Sequence, residues 1–287
     1  KPVDDSWKGL ALTADVNPYL MEANPYHGTM SAVEEVCRNL AAVGARIDSL
    51  ADCLCFGNPR KPDIMGQFKA SCEALRDAAI AVDVPYVSGN VSLYNETSDG
   101  AIPPTPVLMG VGLVEDIRNC TTSDMKKDGS IWLIGKTKEE MGASLYYRSI
   151  GKDCPNIPKT DFDSFIPRME QLIQAIEQGE VVACHDISTG GIATAVIEMC
   201  MSGVGANIRL GEDVRADVEL FSESNGRWIV QVANDKEKDF ARRFDYAIRI
   251  GEVGSKVSFS KNNEIIADFE VEKLRKKWTM PVWDRLA

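Results

Sequence analysis

Apolar and polar positions along this chain switch between a period of two and a period near 3.6, and the switches mark its elements. Gly9-Leu-Ala-Leu-Thr-Ala14 predicts a strand. Val33, Val36, Cys37 and Leu40 recur at helical spacing behind Ser31 and Glu34, which read as a capping box, so a helix is predicted near 31–46. Ala45–Phe56 reads as a strand, and Ile64, Phe68, Cys72, Leu75, Ala79 and Val82 stripe a second helix. Pro85–Val87 and Pro106–Val114 read as further strands, which makes the first half an α/β or α+β domain.

The periodicity stops in the polar stretch Asn119–Gly129, as at a domain boundary, which is placed near residue 125. Two domains are expected, 1–125 and 126–287. The second restarts with a strand at Ile131–Ile134, a helix near 138–149 and another near 165–178 whose Ile166, Met169, Leu172, Ile173 and Ile176 share one side. Strands are expected at Val181–Cys184, Ala206–Leu210, Arg227–Ala233 and Tyr246–Ile250, and a short helix and tail over Val271–Leu286.

Two polar segments, Ala51–Pro59 and Val87–Thr97, each close a run that reads as a buried strand, and both read as functional loops. Glycine there lets the backbone approach a ligand, while Asp, Asn and Ser offer the oxygen atoms that Mg2+ and nucleotides require. Gly135-Lys-Thr137 imitates the end of a phosphate loop, but position 130 is Ser where that loop needs Gly, and a hydrophobic strand precedes it. Cys184–Met199 is a better anion candidate: a strand end, Gly190-Gly191, then a helix start. The alternative is that Ser188 caps this helix and the glycines allow tight packing. His185 reads as a neutral, hydrogen-bonded ring, and His27 as part of a Pro-Tyr-His-Gly turn.

Composition narrows the class. With 44% apolar and 26% charged residues over 287 positions, the chain suits a soluble intracellular globule, and a cytoplasmic location is expected. No apolar run is long enough to span a membrane. A net charge of −11 argues against a nucleic-acid surface. The eight cysteines are scattered without a CxxC pair and read as reduced thiols; Cys53 and Cys55, alternate on a strand, read as packing together rather than binding metal. A start at Lys1 without a leader suggests a processed chain or one cut from a longer polypeptide.

Seven stretches, in order, carry a family resemblance: Asn24-Pro-Tyr-His-Gly28, Arg38-Asn-Leu-Ala-Ala-Val-Gly44, Asp52–Pro59, Ser88–Thr97, Pro103-Pro-Thr-Pro106, His185-Asp-Ile-Ser-Thr-Gly-Gly191 and Leu220-Phe-Ser-Glu-Ser-Asn-Gly-Arg227. Together they resemble the C-terminal half of the small form of phosphoribosylformylglycinamidine synthase, within the aminoimidazole ribonucleotide synthetase superfamily. The resemblance implies an α+β fold: a synthetase N-terminal-type domain whose sheet joins a sister domain's sheet in a shared barrel, then an α/β sandwich domain. It implies an ATP-dependent ligase of purine biosynthesis that converts formylglycinamide ribonucleotide to the amidine, through phosphorylation of the amide oxygen and attack by ammonia. A glutaminase subunit, a small bridging subunit and the enzyme's own N-terminal half are the implied partners.

Position by position, the resemblance makes Asp52 and the backbone of Gly89 contacts for ATP, Asn90 a Mg2+ ligand and Ser92 a contact for the ribonucleotide substrate; Glu96 and Asn58 are possible helpers. The catalytic histidines and most Mg2+ carboxylates would lie in the other half, so this half is expected to be inactive alone. Cys55 replaces the family's usual Asn and Thr189 its usual Asp, which weakens the 185–191 loop as a metal–phosphate site. Glu223-Ser-Asn225 resembles a duplicate of a substrate loop in the other half. Other readings are another ATP-dependent synthetase of the superfamily, whose Asp-rich N-terminal metal motif is not found here, and a non-catalytic nucleotide-binding module. An unpartnered sheet surface would lead two copies to associate.

Overall fold

The computed structural model describes Pro2 and residues 4–280. Its first half runs β1 (Gly9–Asp15), α1 (Pro18–Ala23), α2 (Pro25–Ala42), β2 (Arg46–Cys55), α3 (Pro62–Val82), β3 (Tyr86–Ser92), β4 (Glu96–Thr97), β5 (Gly100–Ala101) and β6 (Thr105–Val114). Four strands make a sheet in the order β1-β6-β2-β3, where β2 and β3 are parallel and joined through α3. The sheet is mixed and open: β1 and β3 are its edges, and no barrel closes among the described residues.

Helix α2 begins six residues before the expected start. Asn24 accepts from the His27 N–H at 2.9 Å and Pro25 stands at the first helical position, so this pair starts the helix. His27 is in its first turn rather than in a loop, and Ser31 and Glu34, read as a capping box, are buried in mid-helix. Gly28 is needed where α2 crosses α1, since a Cβ there would come within 2.6 Å of the Met21 backbone.

The second half runs β7 (Ser130–Ile134), α4 (Leu145–Ser149), α5 (Phe162–Glu177), β8 (Val181–Asp186), α6 (Gly191–Met199), β9 (Gly205–Arg209), α7 (Ala216–Phe221), β10 (Trp228–Val232), α8 (Glu237–Arg243), β11 (Ile248–Gly254), β12 (Val257–Lys261), β13 (Glu264–Phe269) and α9 (Val271–Thr279). Seven strands pair in the order β13-β12-β9-β11-β7-β10-β8, all antiparallel except β12 beside β9. The helix expected near 138–149 shrinks to its last turn. Residues before it spend their backbone groups on distant partners: Ser222 Oγ donates to the Lys138 carbonyl at 2.7 Å, and the Gly142 N–H donates to the Asn156 carbonyl at 2.8 Å. The hairpin β12–β13 was not expected; Asn262 and Asn263, both at positive φ, make its turn. The tail expected after α9 lies largely outside the described residues.

Helix α2 packs on β1, β2, β6 and α3 of the first half and on α5 and β8 of the second. One apolar core therefore joins the halves, with Val33, Val36 and Cys37 of α2 between Leu50 and Leu54 of β2 and Phe165, Leu172, Ile173 and Trp228 of the second half. No described helix is long and apolar enough to cross a membrane.

Candidate functional site

The four residues implied as ligand contacts lie on neighbouring strands. Asp52 pairs with Gly89 across the parallel β2–β3 ladder, Cys53 with Asn90 and Cys55 with Ser92. The segments read as loops are thus partly strand: β2 extends to Cys55 and β3 to Ser92. Neither is buried throughout, and β3 is an exposed edge.

Alternation along the ladder splits the four residues between the two sheet faces. Asp52 points toward the helices. Burial raises its pKa, opposed by the Asn90 backbone N–H that donates to it. The buried Tyr86 hydroxyl, without a hydrogen-bond partner, has its pKa pushed up by burial and by the Asp52 charge. A Cβ on Gly89 would lie 2.8 Å from Asp52 Oδ2, so the bare backbone at Gly89 leaves that carboxylate reachable from the sheet edge.

Asn90 and Ser92 face the other way. Asn90 Nδ2 lies 3.4 Å from Cys53 Sγ, and Cys53 Sγ lies 3.9 Å from Cys55 Sγ, so both thiols share the face away from the helices. Ser92 Oγ donates to Asn95 Oδ1 at 3.1 Å, and Asn95 Nδ2 donates to the Phe56 carbonyl at 3.0 Å, tying the ends of β2 and β3 together. Glu96 accepts from the Asn58 N–H at 2.9 Å and pairs with Lys61 at 3.0 Å. It braces the rim and is already occupied. A ligand straddling the β3 edge would meet Asp52 over Gly89 on one side and Asn90 and Ser92 on the other.

Away from Asn90 and Ser92, this face carries uncovered apolar side chains on β1 and β6. Leu10 and Leu12 of β1 are 50% and 63% exposed, and Met109 and Leu113 of β6 are 40% and 45% exposed. Exposed strands of this composition mark an interaction surface.

A second polar centre lies between α2 and β8, where sequence reading placed no site. Arg38, 1% exposed, bonds to Glu34 one turn away, to Glu35 at 3.4 Å and to Asp186 at 3.5 Å. Burial alone would lower the Arg38 pKa; these carboxylates outweigh it and raise it. Glu35 is raised well above the usual carboxylate range by burial and by the charge of Asp15. The available signal was the Glu34/Arg38 pair at helical spacing inside an apolar stripe. Asp186 belongs to the His185–Gly191 stretch, but nothing in the sequence ties it to Arg38, 148 residues away.

The loop after β8 is internally satisfied. His185 Nε2 lies 3.0 Å from Glu198 and Nδ1 lies 3.2 Å from Asp186. Burial would lower the ring's pKa, but these carboxylates raise it to about 10, so His185 is a charged ion-pair partner and not the expected neutral ring. Glu223 Oε1 accepts from the Gly190 N–H and from the Leu145 N–H, each at 2.9 Å. A carboxylate thus stands where a phosphate would meet the start of α6, and Ser188 is not the cap. No described group of three or more His, Cys, Asp or Glu is placed to hold a metal ion.

Two family models match in order: AIR synthase related protein, N-terminal domain, over residues 3–114, and its C-terminal domain over residues 130–260. The chain is 38% identical over 296 residues to the phosphoribosylformylglycinamidine synthase subunit PurL of Methanothrix thermoacetophila, covering 97% of this chain and 38% of that protein. It is 39% identical over 279 residues to PurL of a Thermoanaerobacter species, covering 94% and 38%. This chain thus spans about two fifths of the length of these curated relatives. Among solved structures, T. maritima PurL complexed with FGAR superposes with a TM-score of 0.79 at 19% identity, covering 93% of this chain and 46% of that one. A chain of a HypE–HypF complex gives 0.67 at 19% identity, covering 90% of each. At these identities the likeness is one of fold.

Proposed function

This chain belongs to the AIR synthase-related family, and from that premise we propose that it forms the C-terminal half of a phosphoribosylformylglycinamidine synthase. The observation that carries this reading is the extent of the likeness to the synthase subunits, which takes in 97% of this chain and 38% of the relative. The reaction would convert formylglycinamide ribonucleotide, ATP and ammonia to the amidine, ADP and phosphate. The γ-phosphoryl group passes from ATP to the amide oxygen, ammonia adds to the activated carbon, and phosphate leaves.

This half contributes positioning groups to a site that the N-terminal half completes. At the β3 edge, the Asp52 carboxylate accepts hydrogen bonds from the nucleotide, and Gly89 leaves the space that lets the nucleotide reach it. Ser92 can turn its hydroxyl from Asn95 to donate to the substrate. The residues fit a hard cation: Asn90 is exposed, and with its Nδ2 toward Cys53 its amide oxygen is left for a ligand. Asn90 would supply one ligand to Mg2+, which when bound neutralises charge on the transferring phosphate. Phosphate oxygens and carboxylates of the N-terminal half would fill the remaining positions.

The uncovered face of the β1-β6-β2-β3 sheet is the natural seat for the N-terminal half, and for a second copy when that half is missing. A T. maritima relative is described as a PurLQS structure; a glutaminase subunit and a small bridging subunit are accordingly the proposed partners, in the cytoplasm. Calorimetry with Mg2+ and ATP on the two halves mixed together tests the site. Binding should weaken at least tenfold in Asn90→Ala; unchanged affinity would remove Asn90 from the metal site.

A further inference from the structure

Gly135 and Lys136, from the stretch that imitates a phosphate loop only in its order, line a cavity of about 490 Å3. It lies between the end of β7, the first half of α5 and the turn before β10, and shares no residue with the β3 edge. Its volume is in the range of small-molecule pockets. Two glycines shape the wall: a Cβ on Gly135, at φ +89, would come within 2.4 Å of the Gly226 carbonyl. Tyr246 gives the lining an aromatic ring, while Phe165 behind it is buried against Trp228.

The charge of this lining is opposite to that of the chain. Lys136, Lys138, Lys159 and Arg168 all border the cavity, in a protein of net charge −11. Of the two carboxylates beside them, Glu34 pairs with Arg38 and accepts from the Gly226 N–H, while Asp161 accepts from Ser164 and has its pKa held low by that bond and in part by the Arg168 and Lys138 charges. Lys138 has Glu140 at 3.8 Å. Among the described residues, Lys136, Lys159 and Arg168 pair with no carboxylate. Arg168 is fixed by bonds to the Ser164 carbonyl at 2.7 Å, Ser164 Oγ at 2.6 Å and the Gly226 carbonyl at 3.2 Å. Those three bonds leave two of its five N–H donors free, on a guanidinium held rigid.

We propose that this cavity is a second ligand site, for a small phosphorylated metabolite whose phosphate sits among Lys136, Lys159 and Arg168 and whose ring lies against Tyr246. The three unpaired cations and the aromatic ring select for both parts of such a molecule, and binding here needs nothing from another half of the enzyme.

The test is titration of the whole chain with ribose 5-phosphate and AMP, followed by calorimetry, with adenosine as the uncharged control. Both phosphorylated probes should bind, with affinity that falls as salt rises, and adenosine should bind at least tenfold more weakly than AMP. The double variant Lys136→Ala/Lys159→Ala, both exposed and folded by near-ultraviolet circular dichroism, should lose at least tenfold in affinity, while Asn90→Ala should bind the probes as before. Failure of both phosphorylated probes to bind at millimolar concentration would overturn the proposal. So would equal binding of adenosine, or binding that survives in the lysine variant and disappears in Asn90→Ala.

Discussion

The point where a Cβ would stand on Gly89 lies 2.8 Å from Asp52 Oδ2 on the neighbouring strand. Backbone shape does not require glycine here, because Gly89 is not among the glycines at positive φ. What requires it is the carboxylate that crosses over it. Gly89→Ala should therefore displace Asp52 at a stability cost of about 1–3 kcal/mol, and lower Mg-ATP affinity in the mixed halves at least tenfold. Thermal melts and calorimetry on one variant check both; an unchanged affinity would mean that the nucleotide does not pass this edge.

His185 makes stability depend on pH. Its pKa is raised in the folded chain to about 10 from an ordinary 6.5, so its stabilisation is fully present below pH 6.5 and is lost as pH rises toward 10. At about 1.4 kcal/mol per pH unit, the contribution is at most roughly 5 kcal/mol. Urea midpoints across this window should fall in the parent chain and fall much less in His185→Gln.

Arg38 is buried and pairs with Glu34, Glu35 and Asp186, of which Asp186 also has His185 at 3.2 Å. Arg38→Met would leave Glu34 and Glu35 without their ion-pair partner and should cost about 3–5 kcal/mol. Lys8→Ala, which removes an exposed partner of Glu115, should leave the unfolding midpoint where it was. Denaturant unfolding of the two variants measures the contrast.

Glu223 supplies the negative charge at the start of α6. Glu223→Ala removes the acceptor shared by the Gly190 and Leu145 N–H groups and should destabilise by about 1–2 kcal/mol. Ser188→Ala should change the melting temperature little. If the serine variant proved the more damaging of the two, Ser188 and not Glu223 would hold this helix start.

The uncovered sheet face should drive self-association. Sedimentation of the isolated chain at micromolar concentration is expected to give a dimer, and Leu12→Asp together with Leu113→Lys a monomer. Both leucines are exposed, so folding should survive the change.

The long striped helices were legible because their periodicity is local: Ile64 to Val82 mark α3 and Ile166 to Ile176 mark α5. The start of α2 falls in Pro25-Tyr-His-Gly28, which reads as a turn by composition, although Asn24 followed by Pro25 is also a helix-start signal. The turns at 138–144 were read as helix because their hydrogen-bond partners, Ser222 and Asn156, lie far along the chain. Asp52, Gly89, Asn90 and Ser92 are proposed from residue type and family pattern. Their division between two faces follows only from the β2–β3 register, which α3 and tertiary packing set. The charged cluster was the least legible feature, since Arg38 and Asp186 are brought together by the fold alone.

The most direct test of the split-site account is an assay of amidine formation from formylglycinamide ribonucleotide, ammonia, ATP and Mg2+. It would use this chain alone, the separately expressed N-terminal half alone, and the two mixed. The account predicts activity only in the mixture, lost when this chain carries Asn90→Ala. Turnover by this chain alone, or a mixture equally active with Asn90→Ala, would contradict it.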